Sequence, residues 1–306
     1  MQLSSQVQQA LNYIASIEVD DKVSSWEKGR AFYEKFIPLA GEKEMVFKIE
    51  DIAIPGESAQ IKLRIYRPSE EDNLPVIAYF HGGWFNAGDL ETHDTPLRRL
   101  SNLSKAVIIS VDYRLAPEHP FPAGLNDGIV ALKWLFENAA AINIDPNKIS
   151  IGGDSAGGAL VATLAGKFGA KINCQLLIYP VTDCSLKTRS WEIFKDGPLL
   201  DAQSGAQAWK WYLSNASDSL NPDAVPLLQR DFRGLPPTFI ASAEYDPLRD
   251  EGIIYGEKLK KNGVHVTSLT YEGMIHGFFQ MGGVIDQSAT LMDDLVKFFT
   301  QHGAQR

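Results

Sequence analysis

Residues 148–168, KISIGGDSAGGALVATLAGKF, carry a serine between glycines at the junction of two different patterns. The run ISIGG predicts a short buried strand, and GALVATLAGKF predicts a helix. Between them Gly153, Ser155 and Gly157 have the spacing G-x-S-x-G. At such a corner the serine backbone is strained, and its hydroxyl rises above the end of the strand beside the N–H groups that begin the helix. A glycine-rich turn capped by serine would have the same five residues, but the strand before it and the helix after it favour a nucleophilic serine.

The composition limits the class of protein. With 306 residues, 44% of them hydrophobic, the chain is long enough to bury a large core, either as one large α/β domain or as two smaller ones. Its net charge of −9 comes from residues spread along the sequence, so it lacks the basic surface that a nucleic-acid partner requires. No stretch approaches the roughly 18 consecutive apolar residues of a membrane span, and the N-terminus lacks the features of a signal peptide. Cys174 and Cys184 are expected as free thiols of a reducing compartment. These features predict a cytoplasmic protein.

Strand and helix patterns alternate through most of the chain. The first roughly 40 residues have helical periodicity and predict two short helices, and from Met45 a period of two around a Pro55-Gly56 turn predicts an antiparallel hairpin. Further strands are predicted at 76–80, 106–111, 149–153, 174–180, 238–243 and 264–271, and helices near 94–104, 123–140, 155–169, 249–262 and 288–301. This alternation predicts one α/β domain over residues 1–306, with a mostly parallel sheet covered on both faces. The interval 183–237 has no strand pattern, and an insertion of that length is often part of a lid.

A serine hydroxyl is a weak nucleophile, so the sequence must also supply a base and a carboxylate that orients it. His276, in YEGMIHGFF, follows the last predicted strand on a glycine-flanked loop, where a mobile imidazole can reach the serine. The other histidines are assigned structural or surface roles, and His93, in LETHDTP, is expected to cap a helix. For the carboxylate, Asp246 follows the preceding strand in ASAEYDPLRDEG, and Asp183 is the alternative. The chain order Ser, Asp, His is the hydrolase arrangement and favours Asp246.

Acyl transfer also needs N–H donors for the oxyanion that forms on the substrate. Ala156 comes directly after the serine and contributes one backbone N–H. The turn FHGGWF at 80–85 follows the strand VIAYF and is placed to contribute others. A plain glycine turn between strand and helix would explain Gly82 and Gly83, but not their occurrence together with the serine corner.

Six blocks of the sequence carry a family resemblance. HGGWF, GDLETHD, VDYRLAPEHPFPA, GGDSAGG, DPLRDEG and MIHGFF, in this order and spacing, resemble the hormone-sensitive-lipase-like branch of the α/β-hydrolases, which includes many bacterial carboxylesterases. The resemblance runs from about residue 45 to about residue 300. It implies the α/β-hydrolase fold, with an eight-stranded, mostly parallel sheet, helices on both faces, and a helical cap from about residues 1–42 and 183–217.

The resemblance also assigns roles to single residues. It implies that Ser155 is the nucleophile, Asp246 the acid and His276 the base. It implies an oxyanion hole made of three backbone N–H groups, those of Gly83, Trp84 and Ala156.

Two further features follow from the family's blocks. In YRLAPE, the resemblance implies an ion pair between Arg114 and Glu118 rather than a chemical role. Where the family usually has a third glycine after the histidine, this chain has Trp84. Any residue except proline retains the N–H, but tryptophan lacks glycine's free access to positive φ, and its ring must be accommodated nearby.

These features predict a serine carboxylesterase that hydrolyses small, short-acyl esters through an acyl-enzyme. Neither a metal nor an organic cofactor is expected, since no histidine or cysteine pair has ligand spacing. An amidase or aryl-formamidase would use the same residues on a different bond. A non-catalytic small-molecule receptor on this fold is a further alternative, which the presence of all three triad residues disfavours. The expected partner is a small ester, and the sequence leaves a homo-oligomer open.

Overall fold

The computed structural model describes residues 3–20 and 22–305 and contains eight strands that form one sheet. The strands and α-helices of these residues, in chain order, are α1 (Ser5–Ala15), α2 (Ser25–Glu34), β1 (Lys48–Pro55), β2 (Gln60–Arg67), β3 (Leu74–Phe80), α3 (Asp94–Ser104), β4 (Val107–Asp112), α4 (Ala123–Asn138), β5 (Ile144–Asp154), α5 (Ala156–Phe168), β6 (Gln175–Ile178), α6 (Arg189–Ile193), α7 (Ala202–Tyr212), β7 (Thr238–Tyr245), α8 (Arg249–Lys261), β8 (Val266–Ile275) and α9 (Gln287–His302). Short 3₁₀ helices lie at Ile37–Ala40, Gly169–Lys171, Ala216–Leu220, Pro226–Leu228 and Phe278–Gln280.

The sheet has the strand order β1-β2-β4-β3-β5-β6-β7-β8. β1 pairs with β2, and β2 with β4, in antiparallel orientation, whereas every pair from β4 to β8 is parallel. The predicted hairpin and the mostly parallel eight-stranded sheet are therefore confirmed. Because parallel strands have their carboxyl ends at the same edge of the sheet, the loops after β3, β5, β7 and β8 lie side by side.

Each face of the sheet packs into its own apolar core. Along β3, Ile77 and Tyr79 point into the core that α1, α3 and α9 cover, while Ala78 and Phe80 point into the core that α4, α5 and α8 cover. This alternation follows from the period of two in a strand. Burial of one large apolar side chain stabilises the fold by about 1.5–3 kcal/mol, so the two cores hold the sheet as a rigid support for the loops at its edge.

Four strands end later along the chain than their apolar patterns predict. β4 ends at Asp112, β5 at Asp154, β7 at Tyr245 and β8 at Ile275. β8 is the edge strand of the sheet and has several exposed positions, so its sequence is less continuously apolar than that of a central strand.

The predicted ion pair between Arg114 and Glu118 is wrong. The Arg114 guanidinium instead meets the carboxylate of Asp127 on α4, with Nη2 2.8 Å from Oδ1, and the Arg114 backbone N–H donates to the same carboxylate. Asp127 is almost fully buried and needs this charge-assisted pairing. Glu118 lies nearer the surface and forms a two-pronged salt bridge with Arg30 of α2.

The interval 183–237 contains α6, α7 and two 3₁₀ helices, and its only strand-like feature among the described residues is an isolated bridge between Asp196 and Asp201. Cys174 and Cys184 are free thiols, as predicted. None of the helices in the described part of the chain has the length and apolar composition needed to cross a bilayer.

Candidate active site

Ser155 occupies the tight corner between β5 and α5. Its φ is +53°, in the left-handed region that a non-glycine residue adopts only at a cost. Backbone bonds hold this conformation, because the Ser155 N–H donates to the carbonyl of Ile178 and its carbonyl accepts from Val181. At Gly157 a Cβ atom would lie 1.9 Å from the carbonyl oxygen of Phe80. Only glycine permits this approach of helix to strand.

The structure brings Ser155, His276 and Asp246 into one hydrogen-bonded series. Nε2 of His276 lies 3.0 Å from Oγ of Ser155, and its Nδ1 lies 2.8 Å from Oδ2 of Asp246. The other carboxylate oxygen of Asp246, which is fully buried, accepts the N–H of Leu248 at 2.9 Å. The alternative acid, Asp183, bonds through its side chain to Ser185 instead.

The sheet explains this meeting of distant residues. Ser155, Asp246 and His276 are each the first residue after a strand, namely β5, β7 and β8. These strands lie in the parallel half of the sheet with only β6 between β5 and β7. The three side chains therefore project from one edge, and the rigid strands below fix their separations.

The loop 81–88 follows β3 and borders the same site. We name it the oxyanion loop because it carries two of the three oxyanion donors that the sequence predicts. Gly83 has a φ of +123°, and its carbonyl accepts the N–H groups of Asn86 and Ala87 in a tight turn. Trp84 and Phe85 have φ values of +54° and +62°. Tryptophan thus adopts here the left-handed conformation that the missing third glycine would have reached without strain. Gly83 and Trp84 line one cavity with Ser155.

Ala156, the third predicted oxyanion donor, is the first residue of α5. The first N–H groups of a helix have no acceptor within the helix. The partial positive charge of the helix N-terminus adds to the attraction of this position for an anion. The sequence-predicted oxyanion residues thus surround Ser155 from two sides, the oxyanion loop and the start of α5.

The Trp84 indole reaches from the oxyanion loop to the segment 183–217. Its ring centroid lies 6.4 Å from that of Trp191 in α6. It also packs where α7 has Gly205, since a Cβ there would lie 3.4 Å from Cη2 of Trp84. The side chain therefore both lines the cavity and contacts the helices above it.

The cavity beside Ser155 has a volume of about 530 Å³. Its walls come from α2, the oxyanion loop, the segment around α7 and the loop after β8, and they are largely apolar or carry uncharged polar groups. The residues that line it besides those of the oxyanion loop and the triad are Ser25, Gly29, Phe32, Tyr33, Phe36, Asp154, Leu199, Leu200, Gln203, Ser204, Gln207, Ala208, Trp211, Gly277 and Gln280.

Asp154, which the sequence analysis did not single out, ties the serine corner to the oxyanion loop. Its Oδ1 accepts the N–H of Gly82 at 2.9 Å and the hydroxyl of Tyr79 at 3.0 Å, and lies 3.0 Å from Nε2 of His93. Burial alone would raise the pKa of Asp154, but the neighbouring His93 and the bonds from His93 and Tyr79 hold that pKa below its usual value. The signal that could have found it is a charged residue inside a buried, glycine-rich corner.

The predicted capping role of His93 is wrong. His93 stands at the start of α3, but its side chain makes no capping bond. The fully buried imidazole instead faces the Asp154 carboxylate, which is itself buried and therefore needs hydrogen-bond donors. The adjacent His81 is also buried, and burial lowers its pKa to about 4, with His93 contributing further.

No group of three or more His, Cys, Asp or Glu side chains in residues 3–20 and 22–305 is arranged to hold a metal ion.

Comparison with known proteins identifies the family. A family model described as "alpha/beta hydrolase fold" matches residues 77–280. This chain belongs to that family. The predicted fold and the predicted resemblance to its hormone-sensitive-lipase-like branch are confirmed.

Relatives of this α/β hydrolase cover most of its length. The carboxylesterase NlhH of Mycobacterium tuberculosis is 41% identical to it over 237 residues, which is 75% of this chain and 74% of that protein. The ethyl acetate hydrolase of Pseudomonas putida is 33% identical over 90% of both chains. Among solved structures, a hyperthermophilic esterase from the archaeon Pyrobaculum calidifontis is 37% identical, with a TM-score of 0.91 over 98% of this α/β hydrolase and 99% of that chain.

Proposed function

We propose that this chain is a serine carboxylesterase that hydrolyses small, short-acyl esters through an acyl-enzyme. The observation that carries the proposal is the hydrogen-bonded series from Asp246 through His276 to Ser155, beside a cavity large enough for a small substrate. The relatives of this chain are named carboxylesterase, ethyl acetate hydrolase and esterase. The chain is a carboxylic ester hydrolase.

In the proposed mechanism His276 acts as the base. Its Nε2 takes the proton of Ser155 while Oγ forms a bond to the ester carbonyl carbon. The tetrahedral intermediate then collapses, the C–O bond to the alcohol breaks, and His276 returns the proton to the leaving alkoxide. Asp246, held by its bond to the Leu248 N–H, keeps the proton on Nδ1 and stabilises the imidazolium. Water repeats the two steps on the acyl-enzyme and releases the acid.

The proposed oxyanion hole consists of the backbone N–H groups of Gly83, Trp84 and Ala156. A hole of this kind stabilises the charge that develops on the carbonyl oxygen, and one donor is typically worth about 10²- to 10³-fold in kcat. The bond from Gly82 to Asp154 supports the assignment, since it fixes the peptide next to Gly83 against the serine corner.

The short-acyl preference is proposed from Trp84. An indole at an oxyanion position occupies volume that a glycine would leave empty, and this one lines the cavity with Ser155. We further propose a cap on a single domain of 306 residues, formed by residues 183–217 and by residues 1–42, of which 1, 2 and 21 lie outside the described residues. The proposal rests on α2 and α7, which both contribute to the cavity wall. The two free thiols support an intracellular location.

The test compares a matched ester and amide, and a series of p-nitrophenyl esters of increasing acyl length, in the wild type and in Ser155→Ala. We expect turnover of acetyl to butyryl esters that Ser155→Ala reduces on the order of 10⁴-fold or more at an unchanged melting temperature. Faster cleavage of the amide than of the ester would establish the amidase or aryl-formamidase alternative in place of this proposal.

A further inference from the structure

The oxyanion loop holds an unfavourable backbone conformation at two successive positions. Trp84 and Phe85 both lie in the left-handed region, with φ of +54° and +62°. For residues with a Cβ atom, and for bulky ones above all, this conformation is disfavoured because Cβ crowds the following carbonyl oxygen. Such strain persists only where the surrounding structure over-determines it.

Both aromatic side chains are anchored by helices of the segment 183–217. The Phe85 ring, only 2% exposed, stacks on Tyr212 at the end of α7, with centroids 3.7 Å apart and planes 12° from parallel. It also contacts Trp209 one turn earlier, at a centroid distance of 5.5 Å. Trp84 packs instead against Trp191 of α6. The two strained residues thus have separate anchors on the same pair of helices.

Gly205 lets α7 come close to these rings. A Cβ at this position would lie 3.0 Å from Cη2 of Trp191 and 3.4 Å from Cη2 of Trp84. Glycine is an unfavourable residue in a helix interior, and nothing in the helical conformation of α7 requires it. The close approach of the Trp191 and Trp84 indoles to this position explains why α7 has a glycine there.

We propose that α6 and α7 hold the oxyanion loop in its left-handed conformation, so that Tyr212 and Gly205 are positioning residues for the oxyanion donors. The inference rests on the proposed function, in which the N–H groups of Gly83 and Trp84 bind the oxyanion. With α7 packed against the loop, the stacking of Phe85 on Tyr212 fixes the peptide planes of the oxyanion loop. When the contacts of α6 and α7 with the Trp84 and Phe85 rings are weakened, the two residues relax toward ordinary φ values. The N–H donors then turn away from the substrate.

The first arm of the test removes the Tyr212 anchor. Tyr212→Leu should lower kcat for an acetyl ester about tenfold, a part of what loss of a whole oxyanion donor costs, with KM within about threefold. Tyr212→Phe keeps the ring and should keep kcat within about twofold. The matched control is Tyr255→Leu, which removes a fully buried tyrosine of α8 that packs on Phe232 rather than on the loop. It should lower the melting temperature but leave kcat unchanged.

The second arm tests whether backbone strain at Trp84 connects the Tyr212 ring to the position of the oxyanion donors. Trp84→Gly removes the penalty for positive φ at one of the two positions. In a Trp84→Gly background, Tyr212→Leu should therefore lower kcat by no more than about threefold. Trp84 and Tyr212 have different ring partners, so this non-additivity reports on the backbone between them.

A third arm is independent of ester turnover. Amide hydrogen exchange of peptides covering residues 81–88 should become faster in Tyr212→Leu and stay at the wild-type rate in Tyr255→Leu. If Tyr212→Leu does not fold, Gly205→Ala replaces it, because its Cβ would crowd Cη2 of Trp191 at 3.0 Å and touch Cη2 of Trp84 at 3.4 Å, while alanine favours the helix. Exchange in 81–88 should again rise and kcat fall.

The results separate the two claims. If Tyr212→Leu or its replacement leaves both the exchange of residues 81–88 and kcat at the wild-type level, or if its effect on kcat is the same factor in both backgrounds, the positioning role is overturned. If the wild type has no Ser155-dependent ester turnover, the proposed function fails, while the exchange measurement still decides whether α7 holds the loop.

Discussion

Nε2 of His276 lies 3.0 Å from Oγ of Ser155, although 121 residues separate the two in the sequence. The distance follows from the sheet, since each residue directly follows a strand of the same parallel array. Proton transfer between these atoms needs only small side-chain motion, because 3.0 Å is already within hydrogen-bond reach. The backbone strain at Ser155 and the glycines around it serve this one placement.

Asp246→Asn tests the role of the carboxylate. The asparagine can still accept the Leu248 N–H, so the fold is retained, but its amide favours the wrong tautomer of His276. We expect a loss on the order of 10⁴-fold in kcat, the size of this effect in serine proteases, with little change in the melting temperature. Asp183→Asn is the matched control and should change kcat by less than about threefold. Steady-state kinetics of both variants decide, and the reverse ranking would transfer the role to Asp183.

Some of this site could be predicted from local sequence and some could not. Ser155, Asp246 and His276 were predictable as candidates because each follows an apolar strand pattern, and strand ends of a parallel sheet meet at one edge. The contacts of Asp154 with His93 and of Arg114 with Asp127 were not predictable. They join residues 61 and 13 positions apart, and they depend on how the helices pack. The direction of the Trp84 indole likewise depends on α6 and α7, whose places no periodicity determines.

Trp84→Gly tests the short-acyl proposal. Removing the indole should open the cavity beside Ser155 and shift the best kcat/KM from acetyl to butyryl esters toward longer chains, since each added methylene that finds room contributes about 0.8 kcal/mol of burial. Acetyl-ester kcat should stay within about tenfold because the N–H remains. The melting temperature should fall, as the contact with Trp191 is lost. A lowered melting temperature with an unmoved chain-length profile would show that Trp84 only supports the fold.

His93→Ala tests whether Asp154 positions the oxyanion loop. Without the imidazole, the buried carboxylate keeps Tyr79 and Gly82 as its hydrogen-bond donors among the described residues. We expect kcat to fall about tenfold at a KM within about threefold. His93→Gln restores an N–H near the position of Nε2 and should recover most of the loss. Kinetics and melting curves of the two variants separate positioning from stability. An unchanged kcat in His93→Ala, whether or not the melting temperature falls, would show that the pair of His93 and Asp154 has no part in turnover.

Glu251→Gln tests a pH dependence of stability. Glu251 is fully buried, its Oε2 accepts the Asp183 N–H, and its Oε1 has no hydrogen-bond partner among the residues that the structure describes. Burial, with the charge of Asp183, raises the pKa of Glu251 well above its usual value. The unfolded chain loses this proton near its ordinary pKa of about 4.3, so the contribution of Glu251 to stability is present below that pH and falls as the pH rises.

The expected result is a melting temperature of Glu251→Gln that equals the wild type's near pH 4 and exceeds it by at least about 2 °C near pH 8. Thermal melts over this pH range measure it, and Glu251→Gln leaves the length of the side chain unchanged. A difference between the two proteins that stays constant with pH would mean that the carboxyl group does not titrate on unfolding.

If Ser155 is the nucleophile of an ester hydrolase, its hydroxyl should be labelled covalently by a reagent that attacks activated serines. The protein is treated with an organophosphate that phosphorylates activated serines, and the intact mass, the labelled peptide and the residual turnover of p-nitrophenyl acetate are measured together. We expect one adduct per chain, located on Ser155, with loss of turnover in proportion to labelling, and no adduct on Ser155→Ala. An adduct on a different serine, or full labelling of Ser155 with turnover intact, would contradict it.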